Sequence, residues 1–327
     1  MKYKEAIMNH GNLSVDAAKG LKELKNRIKS AKIPSSKLDE TINIASWNIR
    51  EFGRKDRRPE SLHFIAEIMN CFDLIAIVEL RKDLSQLRTV MDILGPYWSV
   101  VYSDFTTDPG GNRERIAYLY DKRAVVFTGL AAEADPPKKK NAATGEYVAE
   151  FGWWRSPLIA SFRAGSFDFV LISAHIRWGK KESDRIRPLE LLAKWIDKRR
   201  KDSYGTDKDI ILMGDFNIPK MNDPLYKAIT SKGLKAPEAL MKPDLGSNLT
   251  KNKRYDQILH YPTETKCFTN NGGVLDFYKK DIAGLYPKNT PNKTKFTYEL
   301  SDHLPLWIQV DVDTESEKLD QIISKKG

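Results

Sequence analysis

Between Ser14 and Pro34, apolar residues recur at three- and four-residue steps, at Leu21, Leu24, Ile28 and Ala31, with lysines between them. That period lays one apolar stripe along a helix, and Ser14 is placed to cap its first turn. The stripe is read as docking on a core rather than as a nucleic-acid arm, because most basic helix faces are simply solvated. PSSKLDE follows as a linker. From Thr41 the texture changes to short apolar runs alternating with helical stretches: TINIASWNI, PESLHFIAEIMNCF, DLIAIVEL and LSQLRTVMDIL. This is a βαβ rhythm. The runs YWSVVYSDF, RIAYLYD, AVVFTGL, PLIASFR and DFVLISAHI have few helices between them, which predicts antiparallel or mixed pairing. A helix RIRPLELLAKWIDKRR leads to DIILMGDFN, QILHY and a final strand LPLWIQVDV. The chain thus divides into a basic helical extension and linker (1–40), an α/β domain (41–313) and a helical tail (314–327).

Two long loops interrupt this order, DFTTDPGGNRER and EADPPKKKNAATGEYVAEFGWW, and loops of that length tend to carry function. A chain of 327 residues is long enough to bury a sizeable core without metal or disulfide support. No apolar run reaches the roughly 20 residues of a membrane-spanning helix, so no membrane partner is expected. Cys71 lies in an apolar run and reads as a buried thiol; with Cys267 the only other cysteine and no apolar leader at the start, a reducing, cytoplasmic setting is expected. The net charge is +10, and +6 of it lies in 41–313, so the domain itself is basic. Such an excess favours polyanionic partners such as nucleic acid. No protein partner can be inferred.

Several predicted strands end on polar residues. ASWNI supplies Asn48, IAIVEL Glu79, LISAHI His175, ILMGDFN Asp215 and Asn217, and the turn LSDHLPLW supplies Asp302 and His303. Ligands collect beyond the carboxyl ends of strands in sheets with parallel segments, so these groups are expected to converge. Hard oxygen donors suit magnesium, manganese or calcium, and the five histidines and two cysteines show no zinc spacing. Singly, each piece has an ordinary explanation: a solvated Glu at a strand end, an Asx-turn in G-D-x-N, a turn in S-D-H-x-P. Jointly, the ordered set points to one site.

With these motifs, residues 41–313 resemble the endonuclease/exonuclease/phosphatase superfamily, and its deoxyribonuclease I branch more than its exonuclease III branch. WNIREFG is similar to that branch's F-N-I-R-x-F-G, and DLIAIVELRKD to its D-I-V-x-I-Q-E-V-R-D. RERIAYLYD, WRSPLIASF and RYDQIL resemble K-E-R-x-x-F-L-F, R-E-P-x-V-V-x-F and Y-D-R-I-V. The resemblance implies a four-layer α/β/β/α sandwich of two mixed sheets flanked by helices. It implies that Glu79, with Asn48 nearby and Asp302 beside it, anchors magnesium or manganese, with calcium as a structural or co-activating ion. His175 oriented by Glu114, and His303 oriented by Asp256, would flank the scissile phosphate. Asp215 and Asn217 would hold the attacking water and phosphate oxygens, Arg155 would bind the phosphate, and Arg81 and Arg113 would meet the substrate.

These residue types suit phosphodiester hydrolysis. Water must lose a proton, the leaving oxygen must gain charge or a proton, and the phosphoryl oxygens must be neutralised. The resemblance implies a DNA endonuclease of low sequence specificity. Alternatives within the fold act on RNA, lipids or inositol phosphates, and a non-enzymatic alternative is an inactive nucleic-acid-binding module. KRYDQIL and GDFNIPK lack the inositol enzymes' P-x-W-x-D-R-I-L and G-D-x-N-Y-R patterns. Arg81 matches an arginine that enters the DNA minor groove, against the plainer reading of a salt-bridge partner for Asp83. The paired Trp153 and Trp154 are read as core or loop packing. The position of that branch's sugar-stacking tyrosine falls on Asn112 or its neighbour and that of a cysteine on Arg254, so groove binding is expected to differ from that branch.

Overall fold

A computed structural model describes residues 8–107, 110–205, 207–315, 319 and 323. In chain order the elements are α1 (Val15–Ser30), β1 (Thr41–Phe52), α2 (Pro59–Met69), β2 (Leu74–Arg81), α3 (Ser85–Leu94), β3 (Trp98–Tyr102), β4 (Glu114–Asp121) and β5 (Val126–Glu133). They continue through β6 (Lys138–Lys140), β7 (Tyr147–Ala149), β8 (Leu158–Ala164), β9 (Phe167–His175), α4 (Ile186–Lys201), β10 (Ile210–Asp215), α5 (Pro224–Thr230), β11 (Asp256–His260), β12 (Phe268–Val274), α6 (Lys293–Glu299) and β13 (Leu306–Asp311).

Two sheets form the centre, ordered β12-β13-β1-β2-β4-β3 and β11-β10-β9-β8-β5. Both are mixed: β1–β2 and β9–β10 run parallel, and their other pairings are antiparallel. Between the sheets lies a core of Ile42, Ile44, Val78, Phe162, Phe169, Ile211 and Met213. The outer face of the first sheet packs on α1, α2 and α3, and that of the second on α4 and α5. Central strands are therefore buried on both faces, which is why β2 and β10 read as continuous apolar runs rather than as alternation, while β1 buries Asn43, Ser46 and Asn48 among its apolar residues. This is the four-layer α/β/β/α sandwich expected from the sequence.

The N-terminal helix docks through Leu21 and Leu24, and Arg27 locks it. Arg27 is buried, donates to the carbonyls of Phe277, Tyr278 and Asp281, and pairs with the Asp281 carboxylate at 2.7 Å. Within the stretch read as a linker, Ser36 is buried and donates to Asp73. Of the two long loops, 133–154 contains the exposed hairpin β6–β7, whose strands are too short to leave a periodic signal. Trp153 packs as a core residue against Phe151 and Trp195, whereas Trp154 is exposed. Cys71 is half-buried rather than fully buried. The helical tail expected from 314 lies largely outside the described residues.

Candidate active site

Register builds the site. Along the second sheet, parallel pairing sets Asp215 beside His175, and antiparallel pairing sets it across from Asp256. The ends of β9, β10 and β11 thus present His175, Asp215 and Asp256 in one row. Gly214 makes the tight strand spacing possible: it has φ +137°, and a Cβ there would lie 2.0 Å from the Ala174 carbonyl oxygen. From the facing sheet, β1 contributes Asn48, β2 contributes Glu79, and Glu114 opens β4 opposite Arg81.

Each histidine bridges the two sheets through a carboxylate. His175 on β9 donates from Nδ1 to Glu114 Oε2 at 2.8 Å, and His303, just before β13, donates from Nδ1 to Asp256 Oδ2 at 2.7 Å. A carboxylate only accepts, so both rings carry the proton on Nδ1. Both Nε2 atoms then face Asp215 Oδ2, at 3.7 Å and 3.8 Å. These gaps are too long for hydrogen bonds, and all five groups are buried.

Asp215 is held from two sides. Its Oδ1 accepts from the Asn217 backbone N–H at 2.9 Å, and its Oδ2 accepts from Asn48 Nδ2 at 3.0 Å. Asn217 Nδ2 donates to the Ile176 carbonyl at 2.7 Å, tying the β10 turn to the end of β9. Asn48 Nδ2 also reaches Glu79 Oε1 at 3.0 Å, while Glu79 Oε2 accepts from the Glu51 N–H at 2.8 Å. Glu79 (φ +64°) and Asn217 (φ +54°) both hold left-handed backbone, a strain typical of functional positions. Asn48 Oδ1 is buried with no partner.

The two pairs sit in different fields. Arg155, itself buried, lies 2.8 Å from Glu114 Oε2 through Nε and donates from Nη2 to Oε1 at 3.0 Å; its buried Nη1 has no partner. Arg81 adds a second cation 3.5 Å from Glu114. Burial alone would raise the Glu114 carboxyl, yet His175, Arg155 and Arg81 together hold it at about 2. At His303 burial opposes the charge, but Asp256 and Asp215 outweigh it and hold the ring well above the usual histidine value.

The remaining predicted residues lie at the rim. Asp302 is exposed on one side, with its carboxylate 3.7 Å from Arg50. Arg81 is mostly buried and pairs with Glu51 at 3.2 Å and with Glu114, rather than with Asp83. Arg113 is exposed and lines a cleft of about 580 Å³ with Glu51, Arg54, Arg81 and Lys82. Arg254 faces inward and donates to the carbonyls of Leu240 and Lys242. Two positioning residues were not picked out from the sequence. Ser301 donates to the Asn48 carbonyl at 2.6 Å and accepts from the His303 N–H at 3.0 Å; Glu51 fixes Glu79 and Arg81. The serine of S-D-H was the available signal for the first.

Paired histidine–carboxylates around a buried aspartate, beside an arginine with an unpartnered N–H, are groups suited to phosphoester hydrolysis. The model of the Endonuclease/Exonuclease/phosphatase family matches residues 45–303, and the chain belongs to that family. It is 27% identical over 297 aligned residues to a protein named deoxyribonuclease from Thioalkalivibrio sp. (strain K90mix), a match that covers 86% of this chain and 74% of that one. Among solved structures it is similar to D. rerio TDP2 complexed with single strand DNA product, with TM-score 0.56, 16% identity, and coverage of 82% of this chain and 98% of that one. It is also similar to a family protein from Bacteroides thetaiotaomicron, with TM-score 0.53, 19% identity, and coverage of 84% and 96%. At these identities the two structures establish the fold.

Proposed function

We propose that the protein is a divalent-metal-dependent phosphodiesterase that cleaves nucleic acid, acting as a DNA endonuclease of low sequence specificity. The observation that carries this reading is the convergence of two Nδ1-anchored histidines on Asp215 Oδ2. In-line displacement at phosphorus needs proton handling on both the attacking and the leaving side, and two imidazoles facing one carboxylate provide it. Asp215, steadied by Asn217 and Asn48, accepts the proton of the attacking water. His303, which retains its proton, donates to the leaving oxygen. Arg155 Nη1 and, once its Nε2 also carries a proton, His175 donate to the phosphoryl oxygens, and Glu114 keeps both aligned. Support for nucleic acid comes from the basic domain, from the relative named deoxyribonuclease and from the TDP2 structure solved with single strand DNA product.

The donor set fits a small hard cation. Asn48 Oδ1 is an orphaned buried oxygen beside the Glu79 carboxylate. Among the described residues no three His, Cys, Asp or Glu side chains gather in metal-holding geometry. An ion held by few protein ligands is the pattern of magnesium or manganese, which keep several waters. Glu79 and Asn48 would hold it, with Asp302 at the rim, and when bound it would neutralise charge on the phosphate. Supercoiled plasmid incubated with magnesium or with EDTA tests the reading. Nicking should require the metal and vanish in His175→Ala; cleavage of RNA or of sphingomyelin without plasmid nicking would overturn the DNA assignment.

A further inference from the structure

Trp178 lies three residues beyond His175 and is 53% exposed, yet its ring is contacted from two sides. The Arg185 guanidinium, buried beneath it, lies 4.6 Å from the ring centroid and donates to the Trp178 carbonyl. Tyr255 meets the indole edge-on at 5.6 Å and 86°, and the same tyrosine lies 5.8 Å from the His303 ring. An aromatic path therefore runs without a break from His303 to an exposed indole.

A second exposed tryptophan repeats the arrangement. Trp154 adjoins Arg155, and the Arg177 guanidinium lies 4.4 Å from its ring centroid. Its backbone is left-handed at φ +64°, a costly conformation for so large a residue. Gly110 accommodates the ring, since a Cβ there would stand 3.1 Å from Trp154 Cε3. Neighbouring Trp153 buries itself as a core residue should, so the exposure of Trp154 is not a packing failure of the loop as a whole. Two exposed indoles, each with an arginine against its ring and each next to a residue of the proposed site, form a surface for flat neutral rings strung on an anionic backbone.

We propose that Trp178 and Trp154 are stacking platforms for unpaired nucleobases flanking the scissile phosphate, so that the preferred substrate is single-stranded or locally unpaired nucleic acid. This rests on the nucleic-acid phosphodiesterase reading. In a duplex each base face is already covered by its neighbours, and only a splayed base offers a free face to an indole. Arg81 agrees with this: it is turned inward onto Glu51 and Glu114 rather than outward toward a duplex groove. Exposed tryptophans also enter lipid interfaces, but the arginines against these rings favour a polyanion that brings its own aromatic faces.

The test compares wild type, Trp178→Ala, Trp178→Phe and Trp154→Ala. Affinity for a fluorescein-labelled single-stranded oligonucleotide and for a blunt hairpin duplex is measured in EDTA, and turnover of the oligonucleotide and of bis(p-nitrophenyl) phosphate in magnesium. Each alanine variant should weaken single-strand binding about 5- to 100-fold. Trp178→Phe should retain most of it, and the loss on the oligonucleotide should exceed that on the duplex and on the small diester. Equal losses on all three substrates would overturn the proposal, because Trp178 would then only be supporting Tyr255 and His303. Loss of binding to phosphatidylserine vesicles with single-strand affinity intact would overturn it in favour of a membrane surface. If wild type cleaves no diester while Trp178→Ala still loses single-strand affinity, the hydrolase reading falls and the platform stands.

Discussion

The Glu114–His175 and Asp256–His303 pairs have the same geometry and opposite surroundings. Both bridge the two sheets, both anchor Nδ1 at under 3 Å, and both aim Nε2 at one oxygen of Asp215. Glu114 shares its charge with Arg155 and Arg81, while among the described residues the only ionic partner of Asp256 is His303. A histidine–carboxylate pair is thus not one device. With Arg155 and Arg81 beside it, the carboxylate is held low and the pair stands among cations suited to an anion. Without them, Asp256 and Asp215 face His303 with no competing cation among the described residues and hold the imidazole well above the usual histidine value.

Changing the leaving group tests that division most severely. On DNA, His303→Ala should lower kcat by about 10²- to 10⁴-fold, the usual range for a lost proton-transfer group, and His175→Ala by about 10²- to 10³-fold, the range for a lost oxyanion contact. A nitrophenolate leaves without being protonated, so on bis(p-nitrophenyl) phosphate the His303→Ala defect should shrink to within about tenfold while that of His175→Ala persists. Equal defects on both substrates, read from initial rates in magnesium, would mean that the two pairs do the same work.

The second contrast is in stability. Arg155→Met leaves Glu114 buried with one arginine instead of two, and breaking a buried pair typically costs about 3–5 kcal/mol. With Arg81 and His175 still compensating, the lower end, about 3 kcal/mol, is expected in urea unfolding. Glu114→Gln in the same background should recover part of the loss, because it removes the uncompensated charge. No recovery would show that Arg155 contributes packing rather than charge balance.

These contrasts were only half legible in the sequence. The apolar runs of β1, β2, β9 and β10 announced buried strands, and the polar residues closing them announced the site. Register then brought those residues together. The G-D-x-N motif satisfies its plain reading and leaves room for the proposed one: Asp215 Oδ1 caps a turn through the Asn217 N–H, and Oδ2 faces both histidines. What stayed hidden depends on distances across the sandwich. Arg81 could be matched to a groove-binding role, but that Glu51 and Glu114 draw it inward is a tertiary fact. The short α5, α6 and β12 carry too few residues for a periodic signal, and Trp178 was indistinguishable from any loop tryptophan.

A third buried histidine supplies the control for the first two. His260 closes the strand that Asp256 opens, but its Nδ1 donates to the Thr265 carbonyl at 2.9 Å instead of to a carboxylate. Burial then prevails and lowers it to about 4. Between pH 6.5 and 4 the unfolded chain takes up a proton that the folded chain refuses, so stability should fall as pH falls through that window, by up to about 3 kcal/mol. His260→Gln should flatten this part of the pH–stability curve measured by denaturant unfolding. An unchanged slope would mean that His260 is protonated in the fold without a carboxylate, which would undercut the explanation offered for His303.

The smallest effect belongs to the rim. Arg113 is exposed and shares its cleft with Arg54 and Lys82, so in water and salt it acts on a polyanion mainly through counterion release. Arg113→Ala should weaken binding less than tenfold, alike for all sequences, and should reduce the slope of log affinity against log salt by about one. Arg155, enclosed and bonded to Glu114, should instead shift affinity with little change in that slope, because a buried cation is poorly screened. If Arg113→Ala left the slope unchanged while Arg155→Met lowered it, the phosphate backbone would be read by the enclosed arginine and the basic rim would be solvated surface, reversing the division between the cation-rich pair and its surroundings.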